Sequence, residues 1–324
     1  MPSKKPAHHP HDKYFKAILS MKRAAVELLQ YGLSSEVFAE LDLETLRPSS
    51  DSFIDEKLRE SFSDIIYECN LKDGKFTRLC FLIEHKSEKP NSPISLQLLR
   101  YSLSILEEDL RQNRDYALTI PIVVYHGVEK WQKERLSSLY GDLSTSLRDF
   151  VPDFDYIFIN ISAKPDAELM SLDTSLIGQV FMLLKYIRRR KKIEDILWEI
   201  FNFASANSSD PDFHFYFNVT VQYISFTSSY NKNEIRAMIQ GKMQDDDRDW
   251  SQMSSLELLY DKEELDAIKL EVRLEGELKG KLEGEIKAIK AILTIHPEWS
   301  NHKIADLLEV TEVLVDRIRH DLGR

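Results

Sequence analysis

Apolar residues fall at two distinct periods along this 324-residue chain, and the shorter period marks out a sheet. Phe62–Cys69 and Phe76–Ile83 are rich in aromatic and β-branched residues and flank the turn-forming pair Asp73-Gly74, so they predict a β-hairpin. Leu118–Tyr125 and Tyr156–Ile161 are near-continuous apolar runs, the pattern of strands covered on both faces. Phe53–Leu58 predicts a further, first strand, and Ser34–Ser50 a short helix followed by a loop around Pro48. The longer period predicts helices. Phe15, Ile18, Leu19, Ala25, Leu28 and Leu29 recur after Asp12, an N-cap type, and stop at Gly32. Ser92 and Pro93 read as N-cap and N1 of a helix to about Asn113, with Leu96, Leu99, Leu103, Leu106 and Leu110 as its buried stripe. Leu172–Phe203 is strongly helical, with Leu176, Val180, Leu183, Leu184 and Ile187 on one face, and Phe213–Phe226 fits a strand or a buried helix equally well.

Beyond these elements the pattern turns charged. Residues 241–262 read as an acidic linker around Asp245–Asp249, and residues 263–324 as a separate helical extension. Within Leu258–Leu293, Leu270, Leu274, Leu278, Leu282 and Ile286 recur every four residues, with Gly276, Gly280 and Gly284 two positions away. Glycine weakens a helix, so this spacing suggests either close approach of a second helix, hence a homodimer through the C-terminal helices, or a flexible tether. Asn301–Leu308 and Thr311–Asp321 form a helical hairpin that is similar in outline to a helix-turn-helix. Its acidity and the Glu309 at the turn favour packing or dimerisation over DNA reading. Residues 1–10, rich in Pro, Lys and His, read as a disordered tail, with His8, His9 and His11 part of a polar leader rather than a metal site.

Alternation along the hairpin brings chemistry into view. Glu84 and Lys86 share a face with Cys80, and Asp64, Ile66 and Glu68 share a face on the partner strand. If Gly74 is the centre of an odd-numbered turn, Asp64 lies opposite Glu84 with Cβ atoms roughly 5 Å apart, and the two carboxylates can share a divalent cation. A two-residue turn would send the acids to opposite faces. Hard oxygen ligands suit Mg²⁺, with Mn²⁺ as an alternative, and a lysine two residues on could orient a water or balance charge on a phosphoryl group. The spacing alone is weak, because Glu277–Lys279 and Glu285–Lys287 repeat it in what reads as exposed charge. An acid ending the apolar run Leu79–Ile83 is less ordinary, since burial of an unpaired charge is costly. The rival reading is a strand end with a minor surface ion pair.

The ordered motifs Ser63-Asp64-Ile65-Ile66-Tyr67, Leu82-Ile83-Glu84-His85-Lys86-Ser87, Leu98-Leu99-Arg100-Tyr101 and Pro121–Gly127, with His11–Lys16 and Leu41-Asp42-Leu43 before them, carry a resemblance. The chain resembles, over about residues 11–240, the YhgA-like (Rpn) family of transposase-like proteins and recombination-promoting nucleases, within the PD-(D/E)XK superfamily. That resemblance implies an α/β (α+β) fold with a restriction-endonuclease-like αβββαβ core, a mixed central sheet flanked by helices, followed here by the helical extension. It also implies a metal-dependent DNA endonuclease linked to recombination or a mobile element. Asp64 and Glu84 would bind the metal, Lys86 would orient water and Gln97 would support the site. Arg100 and Tyr101 would contact substrate, and Asp12 would be an extra site acid. Family members often carry Gln where this chain has Lys86, and Ser63 replaces the superfamily's name-giving Pro. The alternative is a catalytically inactive DNA-binding or oligomeric interaction protein that keeps the fold.

Charge moderates the DNA reading. The net charge is −11, and residues 241–324, with 13 Lys and Arg against 20 Asp and Glu, hold −7 of it. The single basic cluster is Arg188-Arg189-Arg190-Lys191-Lys192, which serves equally as a DNA-backbone contact or a solvated helix junction. No apolar run is long enough to span a bilayer and no signal segment opens the chain, so a cytoplasmic protein without a membrane partner is expected. Cys69 and Cys80 should lie on opposite sides of the sheet and stay reduced.

Overall fold

Helical spacing of apolar residues buries Tyr14, Phe15, Ile18 and Leu19 on one side of α1 (Pro10–Leu19) and Ala24, Ala25, Leu28 and Leu29 on α2 (Lys22–Gly32). In the computed structural model, residues 10–49, 65–72, 79–172, 175–246, 259 and 283–321 are described, and within them the side chains of Leu82 and Arg190 are not. The chain divides into two units, residues 1–250 and 251–324.

Ser34 caps α3 (Ser35–Glu40) by accepting the Val37 N–H at 3.3 Å. The chain then enters β1 (Leu41–Pro48) rather than the expected loop around Pro48. Leu41 and Leu46 are buried there, and Pro48 is tolerated because β1 is an edge strand. The strand expected at Phe53–Leu58 and the turn at Asp73-Gly74 lie outside the described residues. β2 (Ile65–Leu71), β3 (Leu79–Lys86), β4 (Leu118–Tyr125) and β5 (Ile157–Asn160) complete a mixed sheet in the order β1-β2-β3-β4-β5. The first three strands are antiparallel neighbours, whereas β3–β4 and β4–β5 are parallel. Parallel neighbours need a crossover, and α4 (Ile94–Arg111) supplies it between β3 and β4. The αβββαβ order expected of the core is therefore present.

One face of the sheet is covered by α4, whose Ile94, Leu98, Tyr101 and Ile105 pack against Ile66, Cys80, Val123 and Tyr125. On the other face α1 meets β3 and α2 meets β1 and β5. Behind them α5 (Leu176–Tyr186) lies on α2 and α7 (Pro211–Thr227) on α1. The buried stripe of α4 is not the expected one, since Leu96, Leu103 and Leu110 are exposed. Both stripes satisfy helical spacing, and the sheet takes the one that also carries Tyr101. The N-cap of α4 is Pro93 rather than Ser92.

The helical stretch expected within Leu172–Phe203 consists of two helices, α5 and α6 (Arg190–Ala206), with a junction at residues 187–189. Helix α5 is apolar on every side and almost wholly buried, so it ends where a basic run begins that could not follow it inside. Phe213–Phe226 resolves as helix, within α7, with Asp210 as N-cap accepting the Asp212 N–H and Pro211 in its first turn. A 17-residue segment with these start signals is too long for one strand of this sheet. Helix α8 (Lys232–Gln244) follows, opened by a capping box of Asn231 and Glu234. Cys69 pairs with Leu79 and Cys80 with Glu68, so the two thiols are on opposite faces, and neither is in a disulfide.

In the second unit, residues 283–295 form helix α9, followed by α10 (Asn301–Leu308) and α11 (Glu312–Asp321). Ile289, Leu293, Ile304, Ala305, Val315 and Ile318 form its core, with Ile286 and Trp299 packed against them. Glu309 takes the left-handed conformation that closes α10, at φ 53°. A Cβ on Gly284 would meet nothing within 4 Å, so among the described residues no second helix approaches closely there. Gly276 and Gly280 lie outside the described residues. Among those residues no helix is long and apolar enough to cross a membrane.

Candidate active site at the end of the central strand

Strand β3 places its last side chains alternately on the two faces of the sheet, and both faces are polar there. Towards α4 it presents Glu84 and Lys86. Glu84 is fully buried. Its Oε1 accepts Gln97 Nε2 at 3.1 Å and forms a close ion pair with Lys86 Nζ, while among the described residues its Oε2 has no hydrogen-bond partner. Gln97 in turn reaches the Tyr101 hydroxyl at 3.3 Å from the next turn of α4. Burial pushes the Glu84 carboxyl above the usual carboxylate range, Lys86 and Gln97 pull it back, and Asp12 pushes it up further. Burial first, and then the charge of Glu84, raise the Tyr101 phenol, which therefore stays protonated.

The described pairs Ile65↔Ile83, Ile66↔Leu82, Tyr67↔Phe81, Glu68↔Cys80 and Cys69↔Leu79 follow the register that an odd-numbered turn requires, not the one of a two-residue turn. Asp64 itself lies outside the described residues.

Towards α1, β3 presents His85. Its Nδ1 lies 2.9 Å from Asp12 Oδ1 and its Nε2 lies 3.0 Å from His126 Nδ1. A carboxylate only accepts, so His85 Nδ1 is the donor to Asp12, and His85 Nε2 and His126 Nδ1 share one proton between them. Among the described residues, His126 Nε2 is buried without a hydrogen-bond partner. The His126 imidazole is pushed down to about 2 by burial, then by His85 and His11, so it is neutral across the physiological range. The position of His126 is fixed by its backbone N–H, which donates to the Lys86 carbonyl at 3.1 Å, and by the close approach of the chain to Tyr125 at Gly127. There a Cβ would collide with the Tyr125 ring.

His11 is half-buried in α1 rather than part of a polar leader. Its Nδ1 meets the Tyr223 hydroxyl at 2.6 Å and its ring packs edge-on to His126. Burial, His85 and Arg188 lower it to about 4. Residues 1–9 lie outside the described residues.

Asp12, Glu84, Lys86, Gln97 and Tyr101 are thus brought to one end of the sheet. Arg188 lies within electrostatic reach of His11 and His126, disfavouring their protonated forms. Arg189 stacks over the Tyr186 ring at 5.4 Å, and Arg190 opens α6. Arg100 is exposed on another side of α4. Sequence reasoning left His85, His126 and Tyr223 out of the site. The available signal was alternation: a residue between Glu84 and Lys86 must face α1. Among the described residues no group of three or more His, Cys, Asp or Glu side chains is arranged to hold a metal. What fits a hard cation is the buried, unpartnered Glu84 Oε2, and a second acidic ligand would have to join it.

The family model described as "Putative transposase, YhgA-like" matches residues 9–212. Recombination-promoting nuclease RpnA of Escherichia coli (strain K12) is 30% identical over 191 residues, 58% of this chain and 63% of that protein. Recombination-promoting nuclease RpnC of the same strain is 31% identical over 188 residues, 57% of this chain and 61% of that protein. A third similar protein of that strain, 27% identical over 187 residues, 57% of this chain and 60% of its own length, is named inactive recombination-promoting nuclease-like protein RpnE. The chain spans about three fifths of the length of these relatives. No solved structure matches it.

Proposed function

Because the chain belongs to the YhgA-like transposase family, we propose that it is a divalent-cation-dependent DNA endonuclease linked to recombination, working at the end of β3. The observation that carries this reading is Glu84: a wholly buried carboxylate with one oxygen held by Lys86 and Gln97 and the other bare. A structural ion pair has no use for a desolvated, unpaired oxygen, which costs on the order of 1–3 kcal/mol.

Asp64 would be the second ligand. It directly precedes Ile65, whose partner Ile83 directly precedes Glu84. Asp12, aimed by its bond from His85, is the extra acid of the site. When bound, Mg²⁺ or Mn²⁺ would supply Lewis-acid polarisation of a phosphoryl oxygen and lower the pKa of a water. Lys86 pulls the Glu84 carboxyl back down against its burial and orients the attacking water, and Gln97, itself bonded to Tyr101, holds the Glu84 carboxylate in place. Attack of the water on phosphorus with cleavage of the P–O3′ bond, the 3′ oxygen leaving as the hydroxyl, would give the 5′-phosphate and 3′-hydroxyl ends that the superfamily resemblance implies.

The deciding experiment is nicking of plasmid DNA with and without Mg²⁺ by the full chain and by Asp64→Ala. Cleavage that needs the cation and vanishes in Asp64→Ala is expected. Equal cleavage by both proteins would place the activity elsewhere, and none by either would leave the inactive DNA-binding alternative. The basic run at the α5–α6 junction is assigned to the DNA backbone, on the electrostatic reach of Arg188 towards His11 and His126. Replacing Arg188, Arg189 and Arg190 together by Ala should flatten the salt dependence of DNA binding by about 0.9 in log–log slope per lost phosphate contact. An unchanged slope would make the run a solvated junction only.

A further inference from the structure

Helix α4 has two apolar faces, and the sheet uses one. Ile94, Leu98, Tyr101 and Ile105 turn inward, while Leu96, Leu99, Leu103, Leu106 and Leu110 lie roughly 150° around the axis. Leu96, Leu103 and Leu110 are 37%, 49% and 66% exposed. The five leucines are spaced alternately by three and four residues, the repeat that keeps one seam in register with a second helix. Scattered exposed leucines need no explanation, but a heptad seam along an 18-residue helix does.

The flanking charges select the occupant. Arg100 and Glu107 are both exposed and sit on the same side of the seam, one heptad apart around Leu103. The other side carries Ser95 and Ser102, and Asp109 there is buried and paired with Arg114 at 3.4 Å. A parallel second helix would set Arg100 and Glu107 against those serines. An antiparallel copy, related by a twofold axis near Leu103, sets Arg100 against the partner's Glu107 and Glu107 against the partner's Arg100. The surface is therefore self-complementary in the sense that an isologous interface requires.

We propose that α4 pairs antiparallel with α4 of a second copy of this chain through the leucine seam, with Arg100 and Glu107 setting the orientation. The seam is turned away from Gln97 and Tyr101, and the pairing does not rest on the nuclease reading. It also gives exposed Arg100 a partner other than substrate.

Sedimentation velocity of the full chain over a concentration series tests it. A monomer–dimer equilibrium is expected, weakened at least about tenfold by Leu103→Asp. That substitution is on an exposed face, and an unchanged melting curve confirms that the fold is kept. Arg100→Glu should weaken association, and Arg100→Glu combined with Glu107→Arg should restore it, which a merely damaged surface would not do. A mixture of Leu96→Cys and Leu110→Cys chains should oxidise to the mixed dimer, with little disulfide dimer of either variant alone. The proposal is overturned if the chain stays monomeric throughout, if the charge swap fails to restore association, or if Leu96→Cys cross-links chiefly to itself. It is also overturned if association survives Leu103→Asp, as it would if it ran through the C-terminal helices.

Discussion

Glu84→Gln should lower cation-dependent DNA cleavage by on the order of 10²–10³-fold while leaving the fold at least as stable at neutral pH. Gln keeps the shape of Glu84 but removes the charge that a cation needs. The stability half of the expectation follows from burial. The carboxyl is raised above its ordinary value of 4.5 because desolvation outweighs Lys86 and Gln97. A carboxyl raised on folding is held protonated more tightly in the native state than in the unfolded chain. Its favourable contribution is therefore present at low pH and lost as pH climbs from about 4.5 upward. Gln does not titrate, so the melting temperature of Glu84→Gln relative to the native chain should rise between about pH 4 and pH 7. Lys86, released from its partner, is 23% exposed and can reach water, which limits the cost on its side. Thermal melts across that range, beside cleavage rates, check both halves. Lost activity with a falling melting temperature would make Glu84 a structural ion pair.

The hairpin register shows what the sequence could decide. Alternation and the position of Gly74 limited the pairing to two parities, and the observed pairs choose the odd one. Local patterning could not choose between two leucine- and isoleucine-bearing faces of α4, because each satisfies the same helical spacing. The choice rests on a long-range fit: Gln97 must reach Glu84, and Tyr101 must reach Gln97, from the face that packs on Val123 and Tyr125. Pro48 hid an edge strand for a similar reason, since only its place at the sheet margin makes it harmless. The Asp12–His85–His126 chain was harder still to see. Its members come from a helix, a strand and the segment after another strand, and no short motif joins them.

Removing the other end of the ion pair should have the opposite effect on stability. Lys86→Met leaves Glu84 buried with Gln97 as its remaining partner, and the carboxyl, freed from the charge and hydrogen bond that hold it down, rises further. An uncompensated buried charge costs about 3–5 kcal/mol, so at neutral pH Lys86→Met should melt below the native chain while Glu84→Gln does not. The loss should shrink as the pH falls from neutrality, because Glu84 without Lys86 takes up its proton more readily. Cleavage at neutral pH should fall by about 10²-fold or more, with the acid limb of the pH–rate profile displaced upward because a neutral Glu84 binds no cation. Raising the pH separates the two duties given to Lys86. The activity that returns measures its hold on Glu84, and the deficit that persists measures its action on the attacking water. A pH–rate profile unchanged in both height and position would remove Lys86 from the reaction and leave it as the counter-ion of a buried acid.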